Sequence, residues 1–186
     1  MSVSAKLYQR GVMRPRRGAR WAAIGGALAL CACDAGAPAQ AEDGRVGPSG
    51  YPVPRYVSLK FDKVNARAGP SDSHRLLWVY RSKGLPVQVV AETTEWRRIC
   101  DPDGSIAWVH RRTTDGRRTL LRQQATPVAL HSDPNSSSAV TARMAGRSVA
   151  QLVRCEGGWC KVRASGRSGW APTREFWGTS ERVQCR

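Results

Sequence analysis

The sequence predicts an all-β protein of two tandem small β-barrels that follow an N-terminal signal peptide, and three observations support this. From Arg55 onward, short runs rich in β-branched and aromatic residues alternate with turn signals. A helical 3.6-residue periodicity is hard to find anywhere after residue 41. Landmarks of the first half recur in order in the second half, at an offset of 62 to 64 residues, which indicates two repeated units.

Residues 1–41 have the organisation of a secretory signal peptide. An arginine-rich head precedes a short apolar run, Trp21–Cys33, and a small-residue stretch that ends in Ala39-Gln40-Ala41. This order is typical of export signals with an A-x-A cleavage site. The run is shorter than the roughly 20 residues that a membrane-spanning helix needs. We therefore expect an exported protein, periplasmic or extracellular, without a transmembrane segment.

Two other export routes stay open at this point. Leu30-Cys31-Ala32-Cys33 resembles a lipobox, which would place a lipid anchor on Cys33. Arg16-Arg17 suggests twin-arginine export. The soluble form cleaved after Ala41 is the prediction that we favour.

The expected mature chain is strongly basic. The full chain carries a formal net charge of +16, and residues 42–186 keep 24 Lys and Arg against 13 Asp and Glu, a net charge of +11. Such a balance favours anionic partners through attraction that salt screens. Export argues against nucleic acid as that partner.

The pattern after the signal peptide divides into four segments. Residues 42–54 are rich in Gly and Pro and are predicted to be a flexible lead-in. Residues 55–120 and 121–180 are predicted to be the two barrels, and 181–186 a tail. Units of about 60 residues are near the lower limit for a self-supporting core, and closing the sheet into a barrel hides its edges. The predicted strands of the first unit are Tyr56–Phe61, Val64–Ala68, Leu76–Tyr80, Pro86–Glu92, Trp96–Cys100 and Ile106–His110.

Paired motifs in the two units carry a resemblance to a known family. The stretch VNARAGPSD and the later EWRRICDPDGSIAWVHRR resemble the opening and the closing hairpin of bacterial SH3-like (SH3b, SH3 type 3) domains. The second unit matches through GGWCKVRASGRSGWAPTREFWG, while its opening VALHSDP lacks the Asn, Arg and Gly of the motif. The chain resembles exported tandem-SH3 proteins. The resemblance implies a binding module that engages peptidoglycan or its peptide stems, rather than an enzyme.

Four cysteines follow the signal peptide, and an even number in an exported chain predicts disulfides. Cys155 and Cys160 flank Gly157-Gly158 between two predicted strands. Facing positions on antiparallel strands lie within disulfide range, so a structural staple is the favoured interpretation. A metal site would need further ligands, and a redox motif usually has the C-x-x-C spacing, which leaves both as alternatives. Cys100 and Cys185 then pair by elimination, or else stay free or form intermolecular bonds.

The residue pattern does not favour catalysis. His74, His110 and His131 are scattered over both units, and we find no nucleophile–base pair, cofactor motif or metal motif. Asp101-Pro102-Asp103-Gly104 lies between two predicted strands and is predicted to be a turn rather than a calcium loop. We expect no catalytic residue, no metal and no cofactor.

Arginine pairs in the first unit form the candidate binding surface. Because neighbouring side chains of a strand point to opposite faces, one Arg of each pair can join a shared patch. The alternative is a solvated surface that only keeps the protein soluble. Trp96, Trp108, Trp159 and Trp170 recur at matched positions, which suggests core or barrel-closing roles. The predicted ligand-binding residues are Tyr80, Arg97, Arg98, Arg111, Arg112, Arg117, Arg118 and Trp177.

Three functional hypotheses follow. The first is an exported, non-catalytic protein that binds peptidoglycan or another component of the cell envelope. The second is a protein–protein adaptor or inhibitor that binds an extended peptide in the SH3 groove. The third is charge-driven binding to an anionic envelope polymer or lipid, which salt would weaken steeply, as it weakens phosphate contacts.

Overall fold

The computed structural model describes residues 45–185, whose regular structure consists of β-strands and two short 3₁₀ turns. The predicted signal peptide, the lipobox with Cys33 and the twin-arginine pair lie outside the described residues. Within the described part, two large sheets occupy the two halves of the repeat. The predicted all-β class is therefore confirmed.

A short hairpin precedes the first barrel. Strand β1 (Arg45–Val46) pairs with β2 (Pro52–Val53), and Gly50 in the connecting turn has a φ of 79°. This hairpin lies in the Gly- and Pro-rich stretch for which the sequence predicts a flexible lead-in. The backbone N–H of Ser49 donates a hydrogen bond of 3.2 Å to Glu92 of the barrel. The hairpin is thereby attached to the first barrel.

Seven strands form the first sheet, in the spatial order β5-β4-β8-β7-β6-β3-β9. In chain order they are β3 (Arg55–Leu59), β4 (Val64–Arg67), β5 (Leu76–Tyr80), β6 (Pro86–Glu92), β7 (Trp96–Cys100), β8 (Ile106–His110) and β9 (Thr114–Asp115). A 3₁₀ turn, Arg111–Thr113, joins β8 to β9. The four strands β5 to β8 have the predicted bounds, because Gly, Pro and Asp turn residues delimit these apolar runs.

Six strands form the second sheet, in the spatial order β10-β13-β14-β15-β11-β12. They are β10 (Thr119–Leu121), β11 (Val128–His131), β12 (Val140–Met144), β13 (Val149–Glu156), β14 (Trp159–Ala164) and β15 (Arg167–Pro172). A second 3₁₀ turn, Thr173–Glu175, follows β15. The domain limits that we predict from the sequence stay predictions.

Each sheet curves around its own hydrophobic core, although its two end strands are not paired with each other. The larger buried side chains of the first core include Leu59, Val87, Ile99 and Val109. Those of the second core include Leu120, Leu130, Met144, Val162 and Phe176. Two cores of this size mean that each barrel is a separate packing unit along the chain.

Direct contacts join the two barrels. The ring of Trp177, which follows the second sheet, packs edge-on against the ring of Tyr56 on β3 at a centroid distance of 5.2 Å. Thr119 Oγ1 on β10 donates a hydrogen bond of 2.7 Å to the carbonyl of Gly84, which precedes β6. An aromatic contact and a polar contact thus connect the two halves.

Candidate functional site

An open cleft of about 660 Å³ lies in the first barrel, beside strand β3 and the 3₁₀ turn Arg111–Thr113. Four arginines and two tyrosines contribute to its walls, and no aspartate or glutamate is among the residues that line it. The lining residues are Tyr51, Arg55, Tyr56, Val57, Arg97, Arg111, Arg112, Thr114 and Gly116. This arrangement favours an anionic ligand.

A buried carboxylate behind the cleft holds two of these arginines in place. Glu92 ends strand β6, and its side chain is only 1% exposed. It accepts a hydrogen bond of 2.5 Å from Arg55 Nη2, and it also accepts a hydrogen bond from the Ser49 hydroxyl. Burial raises the pKa of Glu92, but the hydrogen bonds from Arg55 and Ser49 outweigh it, so this pKa lies below its usual value. Glu92 is therefore ionised at neutral pH.

Arg97 stands opposite Glu92 across the β6–β7 hairpin. Its Nη1 donates a hydrogen bond of 2.5 Å to Thr114 Oγ1, and its Nε lies 3.7 Å from Glu92 Oε2. Burial and the neighbouring Arg55 cation lower the pKa of Arg97, although the guanidinium stays protonated. One carboxylate thus faces two cations, which leaves positive charge for a ligand.

Two buried donors of the cleft residues make no hydrogen bond, although the carboxylate of Glu92 lies 3.7 Å from one of them, Arg97 Nε. Arg97 Nε and the Tyr56 hydroxyl are shielded from solvent and form no hydrogen bond with residues 45–185. Burial raises the pKa of Tyr56 to about 12, an effect that the Arg118 cation partly offsets, so the phenol keeps its proton at neutral pH. A buried donor without a partner costs about 1–3 kcal/mol.

The 3₁₀ turn places two further arginines at the cleft. Nδ1 of His110, the residue before the turn, accepts a hydrogen bond of 3.2 Å from the Arg112 backbone N–H. Arg111 forms an exposed ion pair of 3.5 Å with Glu95. Arg112 forms no ion pair within the described part of the chain, and it also lines a second cleft of about 320 Å³ beside Trp96 and His110. Arg112 therefore connects the two clefts and is free to contact a ligand.

The structure brings three of the predicted ligand-binding residues together and places the other five elsewhere. Arg97, Arg111 and Arg112 meet in the cleft. Arg98 is exposed on the face of the sheet that carries Trp108, since alternate residues of β7 face opposite sides. Tyr80 is buried and donates a hydrogen bond of 3.0 Å to Asp101.

The remaining three predicted residues lie near the connection between the barrels. Arg117 forms an exposed ion pair of 2.9 Å with Asp115. The Arg118 guanidinium lies 5.2 Å from the centre of the Tyr56 ring, which also contacts Trp177. A ligand-binding role for any of these eight residues stays a prediction.

Sequence reasoning missed Tyr51, Arg55, Tyr56 and Thr114. Arg55 and Tyr56 begin a strand, and only the pairing of β3 with β6 brings them near Glu92. Tyr51 lies in the segment predicted to be flexible. The one feature of the sequence that could have pointed to Arg55 and Tyr56 is the alternation of side chains along β3. It places Arg55 and Val57 on one face of the sheet and Tyr56 on the other.

The loop around Gly157-Gly158 contains a disulfide. Cys155 and Cys160 are paired across β13 and β14 with a Cα–Cα distance of 4.0 Å. Both glycines have positive φ angles, 54° and 78°, as expected of a tight hairpin loop. The bond occupies the register position at which the first barrel places Glu92 opposite Arg97. The predicted structural staple is therefore present, at a position where the other barrel uses an ion pair.

The second disulfide attaches the C-terminal segment to the first barrel. Cys100 on β7 is bonded to Cys185, with a Cα–Cα distance of 5.7 Å. The buried Gln88 side chain donates a hydrogen bond of 2.8 Å to the Arg182 carbonyl and accepts one of 2.8 Å from the Gln184 backbone. Both predicted cysteine pairs are thus present, and the tail crosses back from the second barrel to the first.

The recurring tryptophans differ in burial: Trp96 and Trp170 are buried, as their spacing suggested, whereas Trp108 and Trp159 are partly exposed. Trp96, Trp108, Trp159 and Trp170 all lie outside the two hydrophobic clusters. Trp96 packs against His110 at 5.2 Å, and Arg154 lies 4.8 Å from the centre of the Trp170 ring. The buried rings of Trp96 and Trp170 thus pack against polar or cationic side chains.

Other features of the described region bear on the functional class. Within residues 45–185, His, Cys, Asp and Glu side chains form no cluster of three that could hold a metal ion. No helix of that region is long and apolar enough to cross a bilayer. Asp101 accepts hydrogen bonds from the backbone N–H groups of Asp103 and Ser105, which is the turn predicted from the sequence.

Comparison with known proteins identifies the family. The family model described as "Bacterial SH3 domain" matches the chain twice, at residues 60–116 and 124–178. The chain belongs to the bacterial SH3 domain family and contains two copies of the domain in tandem. Bacterial SH3 domains are binding modules and are typically non-catalytic. The resemblance seen in the sequence is confirmed.

Two solved structures from Trichomonas vaginalis are more distantly similar. NlpC2 is 11% identical over 72% of this chain and 51% of that chain, with a TM-score of 0.33. NlpC1 is 11% identical over 72% and 48% of the two chains, with a TM-score of 0.30. This chain therefore spans about half the length of either protein. No curated protein matches it.

Proposed function

We propose that the protein is an exported, non-catalytic binding protein that engages peptidoglycan or another component of the cell envelope. The observation that carries the proposal is the cleft of the first domain. Arg55, Arg97, Arg111 and Arg112 converge there in a domain whose family binds ligands. Guanidinium groups bind carboxylates and phosphates through paired hydrogen bonds, and envelope polymers are rich in both.

The charge around the cleft supports an anionic ligand. Glu92 offsets part of the charge of Arg55 and Arg97, and Glu95 pairs with Arg111 at the surface. Arg112 forms no ion pair within residues 45–185, so no carboxylate offsets its positive charge. Exposed ion pairs such as the one with Glu95 contribute little and exchange readily, so Arg111 is also available to a ligand.

Export supports an envelope ligand rather than a cytoplasmic one. Two disulfides are typical of proteins that fold in an oxidising compartment. The predicted signal peptide is consistent with this location. A periplasmic or extracellular protein meets peptidoglycan and envelope proteins but rarely nucleic acid.

Co-sedimentation with purified peptidoglycan sacculi tests the proposal. We expect the oxidised protein to sediment with sacculi at both low and high salt, because a specific cleft resists screening better than a diffuse basic surface. The double variant Arg97→Gln and Arg112→Gln should bind at least about tenfold more weakly, equivalent to about 1.4 kcal/mol.

A charge-matched variant provides the control. Arg143→Gln with Arg167→Gln removes two exposed arginines of the second domain that form no ion pair within residues 45–185, and it should bind as the unmodified protein does. Equal weakening of both double variants, together with loss at high salt, would favour charge-driven binding. Absence of binding in either buffer would exclude sacculi and favour a protein partner.

A further inference from the structure

The free edge of strand β3 opens onto the arginine cleft. Pro86 has no N–H, so its pair with Ser58 cannot be a hydrogen-bonded pair of the β3–β6 ladder. Antiparallel pairs alternate, so Tyr56 opposite Gln88 is likewise non-bonded toward β6. The backbone N–H and C=O of Ser58 and Tyr56 therefore point toward the other edge of β3.

Only part of this edge is occupied. Strand β9 covers it at Ser58 and Leu59, and the Lys60 N–H bonds to the Thr113 carbonyl at 2.8 Å. After Asp115 the chain leaves the sheet. The N–H and C=O of Tyr56 form no hydrogen bond on this side with any residue of 45–185. An uncovered stretch of strand edge is a template for pairing with another chain.

The second barrel shows the same edge in a covered form. Leu121 of β10 exchanges backbone hydrogen bonds of 3.1 and 2.9 Å with Trp177, as Ser58 pairs with Asp115. The next residue, Gly178, stays against the strand, since a Cβ built on it would lie 3.2 Å from the Thr119 carbonyl oxygen. A Cβ built on Gly116, the counterpart in the first barrel, would meet no atom within 4 Å. The open edge therefore belongs to the first domain.

We propose that an extended acidic peptide binds here as an added strand, paired with Tyr56 and with its carboxylates on the arginines of the cleft. The inference rests on the proposed use of this cleft and specifies its ligand as a peptide segment. Residues on either side of the one opposite Tyr56 would point to the face that carries Arg55 and Val57, because side chains alternate along a strand. Acidic residues at every second position would thus reach Arg55, Arg97 and Arg112.

The two buried donors without acceptors fit this ligand. A small shift of these shielded side chains on binding would let a carboxylate oxygen accept from Arg97 Nε–H and a second ligand oxygen accept from the Tyr56 hydroxyl, which belongs to a residue only 8% exposed. The added strand would supply two backbone hydrogen bonds to Tyr56. A peptide therefore satisfies both the side-chain donors of the cleft and the backbone groups at its edge.

Matched synthetic peptides test the proposal. The probe is the end-capped peptide Glu-Ser-Glu-Ser-Glu, in which a Ser opposite Tyr56 leaves its flanking Glu side chains on the cleft. N-methylation of both Ser nitrogens removes the peptide N–H that bonds to the Tyr56 carbonyl and should weaken binding at least about tenfold. N-methylation of the Glu nitrogens, which point away from β3, should change affinity by less than about twofold. Titration by NMR measures all three peptides.

Hydrogen exchange of the backbone amides tests the same proposal on the protein itself. The Tyr56 amide should exchange at least about tenfold more slowly with saturating unmethylated peptide, while the Leu121 amide, already bonded to Trp177, should not change. Equal affinity of the two methylated peptides, together with unchanged exchange of the Tyr56 amide, would overturn the added-strand proposal. The cleft would then remain only a candidate site for anions. Arginine-dependent binding to sacculi without peptide binding would also overturn it, while the envelope function stands. Peptide binding with Tyr56 protection but no binding to sacculi would support the strand and refute the envelope function.

Discussion

Glu92 is the side chain on which the geometry of the cleft depends. It lies behind the cleft rather than in its wall, and it contacts Arg55, Arg97 and Ser49 at once. A buried carboxylate with charged partners stabilises the fold only while it is ionised. The same residue therefore couples the hairpin β1–β2, the cleft arginines and the stability of the first domain.

Glu92→Gln should destabilise the protein by about 2 kcal/mol at neutral pH, because it removes charged hydrogen bonds in a buried setting. The pKa of Glu92 is below 4.5 in the folded state, so its contribution is present above about pH 4.5 and is lost as the pH falls through the folded pKa. Urea denaturation at neutral and acidic pH measures this. The difference between variant and unmodified protein should shrink in acid, whereas exposed Glu181→Gln should have no effect at either pH. An equal difference at both values would contradict the ionic role.

Tyr56→Phe separates binding from stability at a second position. The Tyr56 hydroxyl is buried without a partner, so its removal should leave the free energy of unfolding unchanged or raise it slightly. Binding to sacculi should fall by about fivefold, since a hydrogen bond to the ligand is lost. Denaturation and co-sedimentation of the same preparation measure both effects. Lower stability with unchanged binding would show that the hydroxyl serves the fold alone.

The two domains use the same hairpin in different ways. In β6–β7 the register pairs Glu92 with Arg97, and in β13–β14 the corresponding position holds Cys155 and Cys160. The first hairpin thus keeps a cation available at the cleft, while the second is closed by a covalent bond. Phe176 near the end of the second barrel is buried in its core, where the first barrel places Thr114 beside Arg97. At these positions the first repeat has polar and charged side chains, whereas the second has a disulfide and an apolar ring.

Replacing Cys155 and Cys160 by alanine should lower the free energy of unfolding by about 2 kcal/mol, as expected for the closure of a very short loop. Alanine is chosen instead of serine because serine would place a hydroxyl in the buried site of Cys160. Thermal and urea denaturation measure the change. Glu156→Ala in the same loop removes only an exposed ion pair with Arg154 and should change stability by less than about 0.5 kcal/mol. No loss in the cysteine variant would mean that the hairpin alone holds this geometry.

At the scale of the whole molecule, the C-terminal segment fastens one domain to the other. Residues 180–185 return to the first barrel, where Gln88 bonds to the main chain and Cys100 to Cys185. Trp177 packs on Tyr56 from the same side. The disulfide closes a loop that contains the whole second domain, and long loops gain the most from a crosslink in the chain-entropy description.

Replacing Cys100 and Cys185 by alanine should cost about 4–5 kcal/mol of stability in that description. We also expect the amide of Gln184 to exchange far faster, because its bond to Gln88 loses the adjacent anchor. Hydrogen exchange and denaturation measure both effects, with the Cys155 and Cys160 variant as the comparison. A tail that stays protected without the disulfide would show that the hydrogen bonds of Gln88 hold it unaided.

The positions of most strands of the first unit, the repeat and the cysteine partners could be predicted from the sequence, because each depends on local or repeated patterns. Turn residues delimit β5 to β8, and matched landmarks at a constant offset predict two barrels. Arg97, Arg111 and Arg112 were found because adjacent arginines are visible as pairs. Tryptophan recurrence predicted the repeat and the burial of Trp96 and Trp170, but Trp108 and Trp159 are partly exposed, because an amphipathic ring also packs well at the surface.

The sequence by itself determined the fold class and the two copies of the domain, since strand periodicity and repetition are local properties, and its arginine excess predicts an anionic ligand. Tertiary structure alone decided which arginines share a cleft and which strand edge is open. Arg55 and Glu92 meet only through the register of β3 with β6. The edge at Tyr56 is free only because the chain leaves the sheet at Gly116, whereas it stays against the strand at Gly178. Such features depend on the path of the backbone between distant segments, which local patterns do not encode.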